Sequence, residues 1–207
     1  MSGKFITIEG IEGVGKTTNI NFIEQYLRQA GKDILLTREP GGTVIGEKIR
    51  ALLLDAKQAH IEDDAELLMM FAARAQHLAE LIKPALEENK WVICDRFTDA
   101  TYAYQGGGRG IAFERIAQLE QWVQGELRPD VTLLLDLPVQ QGLERAGQRS
   151  EPDRFEREKT EFFERVRRAY LDMARAEPQR YRMIDASVAL TEVQAQVQTI
   201  LDELLAA

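Results

Sequence analysis

A glycine-rich stretch near the start of the chain has the residue types and the spacing of a phosphate-binding loop. Residues 10–17 read GIEGVGKT, with an apolar run before them and a segment of helical period after them. Glycine leaves backbone N–H groups free to face phosphate oxygens, a lysine adds a cation, and a threonine hydroxyl is a ligand for Mg²⁺. The residues that this pattern predicts to bind the phosphates of a nucleotide are Gly10, Ile11, Glu12, Gly13, Val14, Gly15, Lys16, Thr17 and Thr18.

Charged residues follow two other apolar runs. Asp95 and Arg96 come after WVIC, and Arg38 comes after ILLT and before a Pro-Gly-Gly turn. Ligands bind at the carboxyl ends of parallel strands, where an arginine grips a phosphate with two hydrogen bonds and a carboxylate can hold Mg²⁺. Taken alone, such residues are more typical of solvated surface charge. The aromatic and glycine-rich continuation TYAYQGGGR after Arg96 favours a pocket wall.

One predicted helix carries an aromatic ring and a guanidinium group on the same face. Apolar residues step by three and four through residues 68–82, and Phe71 lies three residues before Arg74. A ring and a guanidinium group side by side can stack on a nucleobase and donate hydrogen bonds to it. Phe71 also belongs to the apolar stripe, so packing in the core is an equal alternative.

A polar segment at about residues 145–157 is rich in arginine. It reads RAGQRSEPDRFER and is interrupted by Gly147 and Pro152. Such a segment can close as a lid and bring a cation to a phosphoryl group in transfer. Several of its arginines are also expected to form ion pairs on a solvated surface.

Short apolar runs alternate with helical segments, which predicts an α/β fold with a parallel sheet. The strands predicted on this basis are residues 5–9, 34–37, 91–94, 131–136 and 182–184. One helix is expected to begin near Asp63 or Asp64 and to end or bend at Pro84, and another is expected over residues 155–173. Residues 105–110, QGGGRG, are expected to form a bend near a site.

The composition limits the class of protein. The 207 residues suit a single domain, residues 1–207, that includes the lid. A net charge of −8 argues against a broad nucleic-acid surface, so anionic ligands need a local basic pocket. The chain has one cysteine, and its first residues contain neither a signal peptide nor a membrane span, so we expect a cytoplasmic protein that has no membrane partner.

Three classes of protein use a loop of this kind, and a small-molecule kinase suits this chain best. A GTPase would carry an Asn-Lys-x-Asp stretch, but the Asn-Lys pair at residues 89–90 continues as Trp-Val. A motor or assembly ATPase devotes further chain to sensors and partner surfaces, for which 207 residues leave little room. A kinase needs an acceptor pocket and a means of excluding water, and the remaining motifs can supply both.

The combination of GIEGVGKTT, REPGGT, FAARAQH, DRFTDATYAYQGGGR, RPDVTLLLDLP and the arginine-rich lid resembles bacterial thymidylate kinases from Phe5 to about Asp185. The resemblance implies a three-layer P-loop NTPase fold, in which helices flank a five-stranded parallel sheet. It also implies transfer of the γ-phosphoryl group of ATP to dTMP, a requirement for Mg²⁺, and a homodimer.

The resemblance also assigns residues to the acceptor dTMP. Arg38 and Arg96 would hold its phosphate, and Phe71 would stack on thymine. Tyr104 would press against the sugar where a ribose carries its 2′-hydroxyl, which favours deoxynucleotides. The residues implied to read the polar edge of thymine are Arg74, Thr101 and Gln105.

The same resemblance assigns the catalytic groups. Lys16 would stabilise the transferring phosphoryl group, Glu12 would face the acceptor sugar or the metal, and Asp95 would lie near Mg²⁺ together with Thr17. Some relatives carry a catalytic arginine after the acidic residue of the loop, but that position is Gly13 in this chain. The lid would then supply the arginine, and the candidates are Arg149 and Arg154.

Three alternatives remain open on the sequence alone. A deoxynucleoside kinase would transfer to a neutral hydroxyl and would need a carboxylate base, for which Glu39 is the candidate. A kinase for another nucleoside monophosphate would share most of these motifs, and an ATP-binding partner module would bind nucleotide without turnover. A monophosphate acceptor is already anionic at neutral pH, because its second pKa is about 6, and it needs no base.

Overall fold

In the computed structural model, which describes residues 3–55, 61–147 and 153–206, five strands form one parallel sheet in the order β2-β3-β1-β4-β5. Both neighbours of the central strand are distant in sequence, so each connection crosses over through helices. The strands are β1 Phe5–Glu9, β2 Ile34–Arg38, β3 Trp91–Asp95, β4 Val131–Asp136 and β5 Tyr181–Asp185.

Both faces of the sheet are buried, which explains why its strands are apolar without alternation. Ile6 pairs with Ile93 on one side and with Val131 on the other, and all three pack in one core cluster. Phe5 and Val92 point to the opposite face and pack in a second cluster.

Helices cover the two faces of the sheet. α1 contacts β1, β2, β3 and α9, while α8 contacts β4, β5 and a π-helical segment, Tyr102–Gly108. None of the helices described is long and apolar enough to cross a membrane. The helices are α1 Lys16–Gln29, α2 Val44–Leu54, α3 Asp63–His77, α4 Lys83–Glu87, α5 Thr98–Thr101, α6 Phe113–Val123, α7 Val139–Ala146, α8 Thr160–Ala176 and α9 Leu190–Ala206.

The α/β class and the five parallel strands predicted from the sequence are confirmed, with ends that differ by at most one residue. Three local predictions need correction. Helical structure continues past Pro84, because a wide π-helical turn, Leu78–Ile82, precedes it and accommodates the missing N–H. The predicted bend at QGGGRG is mostly π-helical, and Phe155 lies in a turn before α8.

Candidate active site

Predicted site residues lie at the carboxyl ends of three neighbouring strands, at one edge of the sheet. β1 leads into the glycine-rich loop and α1, β2 leads to Glu39, and β3 ends at Asp95 and leads to Arg96. Because β2, β3 and β1 are adjacent and parallel, their carboxyl ends converge. A cavity lies at this edge, between the loop on one side and α3 and the π-helical segment Tyr102–Gly108 on the other.

The cavity has two ends of different chemistry. Residues 12–17 of the loop line one end with Arg50, Asp95 and Arg96. The other end is lined by apolar groups and by hydrogen-bonding groups, namely Met70, Arg74, Phe97, Thr101, Tyr104 and Gln105. Such an arrangement fits a ligand that carries phosphate at one end and a planar base at the other.

The loop reaches its shape through backbone conformations that favour glycine. Gly13 has a φ of +74°, and a Cβ at this position would lie 1.9 Å from the carbonyl oxygen of Gly142 in α7. An arginine could not occupy position 13 unless α7 moved, which gives a physical reason for the glycine there. Lys16 opens α1, and its Nζ lies 3.5 Å from the carbonyl oxygen of Gly10 and 3.4 Å from that of Ile11.

Arg96 joins the loop to the wall of the cavity. Its Nη1 donates to the carbonyl oxygen of Gly10 at 2.8 Å, and its Nη2 donates to Glu12 Oε1 at 2.6 Å. The guanidinium group lies over the Tyr104 ring, 4.7 Å from the centroid, and the Tyr104 hydroxyl donates to the same Glu12 oxygen at 2.9 Å. Arg96 has a φ of +67°, a conformation that is rare outside glycine and is common at functional sites.

Burial and neighbouring charges shift the pKa values of the ionisable groups at the loop end. Burial lowers the pKa of Lys16 below its ordinary value, and the charge of Arg96 lowers it further. Burial also lowers the pKa of Arg50, to which the charge of Arg38 contributes. Burial alone would raise the pKa of Glu12, but Arg96 and Lys16 bring it below its ordinary value. The cations at this end of the cavity therefore lie close to one another, an arrangement that suits polyphosphate.

A buried carboxylate lies beneath the loop. Glu9 accepts a hydrogen bond from the Phe97 N–H at 2.7 Å and another from the Tyr170 hydroxyl at 2.7 Å. Burial raises the pKa of Glu9 to about 8, and the charge of Asp99 adds to this increase. This group was not predicted, because nothing in the sequence distinguishes Glu9 from an ordinary last residue of a strand.

At the base end, Arg74 is buried and presents an unused donor. Its Nε donates to Glu39 at 2.8 Å, and its Nη2 donates to Thr101 Oγ1 at 2.9 Å and to the Phe97 carbonyl oxygen at 3.3 Å. Its Nη1 has no hydrogen-bond partner among the described residues. A buried guanidinium N–H normally has a partner, so this atom indicates a place for a ligand that accepts hydrogen bonds.

Glu39 lines the cavity but has no free oxygen. Oε2 accepts from Arg74, and Oε1 lies 2.9 Å from Nδ1 of the buried His77. A carboxylate bonded in this way is poorly placed to take a proton from a substrate hydroxyl. The arrangement disfavours the deoxynucleoside kinase that the sequence had left open.

Two predicted acceptor residues lie outside the cavity lining. Arg38 is half exposed and pairs with Glu47 in α2 at 2.9 Å, because β2 ends with its side chain pointing to that helix. Phe71 packs in a core cluster, and its ring lies under the guanidinium group of Arg74 at 4.8 Å. Met70 lines the cavity instead, four residues before Arg74. The helical period placed Phe71 beside Arg74 but could not decide which neighbour faces the ligand.

The lid arginines are only partly described. Arg149 lies outside the described residues, at 148–152. Arg154 does not reach the loop; its Nε donates to the Leu53 carbonyl oxygen at 2.7 Å, and its Nη2 contacts Glu66. Gly10, Ile11 and Thr18 also lie outside the cavity lining, although the first two hold Lys16 through their carbonyl oxygens.

Arg50 is a cation of the cavity that was not predicted from the sequence. It lies in α2 and donates from Nη1 to the Pro40 carbonyl oxygen at 2.9 Å, which brings its charge to the loop end. No motif marks it, and α2 itself was not predicted. The available signal was Thr43, whose hydroxyl caps α2 by accepting from the Gly46 N–H at 2.9 Å, directly after the Pro-Gly-Gly turn.

The two predicted metal-binding residues, Asp95 and Thr17, supply oxygen atoms to the same cavity. Asp95 Oδ1 is buried and has no hydrogen-bond partner in the described part of the chain. The exposed Thr17 lies in the first turn of α1, on the same cavity. Oxygen ligands of this kind suit Mg²⁺, which is usually held by one or two protein groups together with substrate phosphates and water.

Comparisons with known proteins relate the whole chain to one group. A family model described as thymidylate kinase matches residues 8–197. The thymidylate kinase of Ectopseudomonas mendocina (strain ymp) is 58% identical over 207 residues, which are 100% of this chain and 99% of that protein. The thymidylate kinase of Pseudomonas syringae pv. tomato is 58% identical over 99% of this chain and 98% of its own. The crystal structure of thymidylate kinase from Ehrlichia chaffeensis has a TM-score of 0.79 at 36% identity and covers 97% of this chain and 99% of its own.

Proposed function

The chain belongs to the thymidylate kinase family, and from that premise we propose how its cavity transfers the γ-phosphoryl group of ATP to dTMP. An oxygen of the dTMP phosphate attacks the γ-phosphorus, the bond from that phosphorus to the β-phosphate oxygen breaks, and the products are dTDP and ADP. The observation that carries the proposal is one cavity that is lined both by the phosphate-binding loop and by Arg74, whose Nη1 has no hydrogen-bond partner among the described residues.

The loop end is proposed to hold the ATP phosphates. Gly15, which precedes α1, makes no side-chain capping bond, and the first turn of the helix contains no acidic residue. Its first N–H groups are therefore free for an anion, and the helix dipole favours one. Lys16 would contact the transferring phosphoryl group, since its Nζ makes only long contacts to two carbonyl oxygens.

Asp95 and Thr17 are proposed to hold Mg²⁺ together with the ATP phosphates. Bound there, the ion would neutralise charge on the phosphates during transfer. Asp95 Oδ1 supports this role, because a buried carboxylate oxygen without a hydrogen bond is costly unless a cation compensates it.

The acceptor phosphate is proposed to bind to Arg96 and Arg50, while Arg38 adds long-range positive charge. Phosphate oxygens would take over hydrogen bonds that Arg96 now gives to Gly10 and Glu12. The two anionic substrates repel each other, so the main task of these cations is to hold them in line. The attacking phosphate oxygen is already anionic at neutral pH, so no general base is needed.

The base pocket favours a pyrimidine that presents a carbonyl oxygen. Nη1 of Arg74 can only donate, so it matches a carbonyl of thymine and opposes the amino group that cytosine carries at the same position. Thr101 and Gln105 line the pocket beside it. Tyr104, whose hydroxyl donates to Glu12, would exclude a 2′-hydroxyl.

One or both lid arginines, Arg149 and Arg154, are proposed to reach the transferring group when the lid closes. Arginines that act in this way contribute a factor of about 10³ to 10⁵ in rate. Alanine substitution of the arginine that acts should lower kcat strongly and leave the KM for dTMP nearly unchanged.

A direct test is ADP formation with a panel of acceptors: dTMP, dUMP, UMP, CMP, AMP, GMP and thymidine. We expect dTMP to have the highest kcat/KM and thymidine to stay at background. Equal rates across the monophosphates would contradict the thymine assignment. Activity on thymidine alone would favour a deoxynucleoside kinase, and ADP formation that stays at background with every acceptor would favour a binding module.

A homodimer is proposed through the face formed by α2, α3 and α6. Leu52, Leu68 and Trp122 are at least half exposed on these helices, and Leu68 and Trp122 line one groove. Exposed apolar groups of this size are typical of a protein interface. Sedimentation should show a dimer that Trp122→Glu dissociates, whereas Met183→Glu, a control on β5, should leave it intact.

The proposed location is the cytoplasm. The only cysteine, Cys94, is buried and cannot form an internal disulfide, which suits a reducing compartment. Fractionation of cells that express the tagged chain would test this proposal.

A further inference from the structure

His77, the last residue of α3, is completely buried and uses both ring nitrogens. Its Nδ1 lies 2.9 Å from Glu39 Oε1, and its Nε2 lies 2.7 Å from Thr37 Oγ1. Both ring nitrogens are therefore joined to side chains of the β2 end, and the two hydrogen bonds together fix the orientation of the ring.

Glu39 continues this chain of hydrogen bonds to the base pocket. Its second oxygen accepts from Arg74 Nε at 2.8 Å, so the order is Thr37, His77, Glu39 and Arg74. Each of these three bonds joins α3 to β2 or to the turn that follows β2. Arg74 and His77 lie in successive turns of α3. Hydrogen bonds at both nitrogens of His77 and at both oxygens of Glu39 restrict the rotation of these two side chains.

The donors of Arg74 are used unequally. Nε is bound by Glu39, Nη2 is bound by Thr101 and the Phe97 carbonyl oxygen, and Nη1 is left buried without a partner in the residues described. Because the guanidinium group is planar, fixing Nε and Nη2 also fixes the direction of Nη1. The carboxylate that fixes Nε is itself held by His77.

We propose that His77 and Glu39 are positioning residues that aim Arg74 Nη1 at a carbonyl oxygen of the acceptor base. This inference rests on the proposed function and adds to it a residue, His77, that touches neither nucleotide. Glu39 acts on Arg74 directly, and His77 acts through Glu39.

Gly42 packs against the hydrogen bond between His77 and Thr37. It has a φ of +81°, and a Cβ at this position would lie 2.7 Å from both His77 Nε2 and Thr37 Oγ1. The turn that follows Glu39 therefore closes against the histidine–threonine bond and leaves no room for a side chain. The second glycine of the Pro-Gly-Gly turn makes this packing possible.

Steady-state kinetics of three variants test the proposal. His77→Leu removes both bonds, and we expect the KM for dTMP to rise about tenfold while the KM for ATP stays within about twofold. Thr37→Val keeps the side-chain shape and removes only the outer bond, so a rise of about threefold in the same KM is expected. His77→Asn keeps an N–H near the position of Nδ1 and should restore most of the affinity for dTMP.

A matched control separates positioning from general loss of stability. Val197 is fully buried in α9, away from the cavity. Val197→Ala should lower the Tm and leave both KM values unchanged. The ratio of kcat/KM for dTMP over dCMP should fall in His77→Leu and stay constant in Val197→Ala.

The proposal is overturned if His77→Leu or, should that variant not fold, Thr37→Val leaves the KM for dTMP unchanged. It is also overturned if the two KM values rise together, or if Val197→Ala reproduces the change. Failure of the proposed function would look different, because the unmodified protein itself would then not phosphorylate dTMP.

Discussion

At the scale of single residues, the loop end of the cavity brings three cations, Lys16, Arg50 and Arg96, close to one another. The pKa of both Lys16 and Arg50 is lowered by burial and by a neighbouring arginine, which shows that these cations are crowded. Repulsion between neighbouring cations destabilises the protein without a ligand and favours the binding of anions. The chain as a whole carries −8, so this positive charge is a local property of the site.

Arg50 and Arg38 offer a matched pair of substitutions. Arg50 lines the cavity, whereas Arg38 is half exposed and pairs with Glu47. We expect Arg50→Gln to lower kcat/KM for dTMP by about tenfold to a hundredfold, because a charge-assisted contact with phosphate is lost. Arg38→Gln should lower it by no more than about threefold, because only screened long-range charge is lost.

Initial rates at varied dTMP and saturating ATP measure both variants. A larger loss in Arg38→Gln than in Arg50→Gln would contradict the geometry and restore the role that the sequence suggested for Arg38.

Glu9 should make stability depend on pH. Its pKa rises from 4.5 in the unfolded chain to about 8 in the folded protein. Between these values the unfolded chain releases a proton that the folded protein keeps, so the free energy of unfolding falls as pH rises. The slope reaches about 1.4 kcal/mol per pH unit and levels off above the folded pKa.

Urea unfolding at several pH values across this window measures the effect. Glu9→Gln cannot ionise, so its free energy of unfolding should vary less with pH than that of the unmodified protein. Parallel slopes in the two proteins would show that Glu9 is ionised in the folded state at neutral pH.

At the scale of secondary structure, most of the fold could be predicted because the sheet is buried on both faces. A run such as VTLLLD is apolar throughout and is therefore expected in a strand covered on both faces. The glycine-rich loop between β1 and α1 follows a recognisable pattern. The site was predicted less completely, because it depends on side-chain direction. Met70 and Phe71 are adjacent in α3 and differ by about 100° around the helix axis, a difference that residue type alone does not decide.

The π-helical segment was not predictable for a related reason. Its three glycines suggested a bend, but they are needed for close packing between α6 and α8. A Cβ on Gly107 would lie 2.7 Å from the Ala169 Cβ and 3.0 Å from the Arg165 carbonyl oxygen in α8. The contact is formed by residues far apart in sequence, so local patterns do not contain it.

Gly107→Ala should therefore destabilise the protein despite favouring helix. Overpacking against a backbone costs about 1 to 3 kcal/mol, which corresponds to a drop in Tm of several degrees for a chain of this size. Gly147→Ala is the control, because the nearest atom to its added Cβ is 3.4 Å away. Thermal unfolding compares the two, and an equal or higher Tm in Gly107→Ala would contradict the packing described.

At the scale of the whole molecule, the sheet brings the proposed donor site and the proposed acceptor site to one edge. β1 and α1 form the loop end, while α3 and the π-helical segment form the base end. Asp95 and Arg96 lie between them, because β3 is inserted between β1 and β2. Direct transfer between two nucleotides is the reaction that this arrangement serves, and hydrolysis of ATP by water is the reaction it must suppress.

The fate of the γ-phosphoryl group tests this claim most directly. The protein would be incubated with Mg²⁺, dTMP and ATP labelled with ³²P at the γ-position, and the products would be separated. We predict that the label appears in the β-phosphoryl group of dTDP, with one ADP formed for each dTDP. Label released mainly as inorganic phosphate, or ADP formed at the same rate without dTMP, would contradict direct transfer between two nucleotides in one cavity.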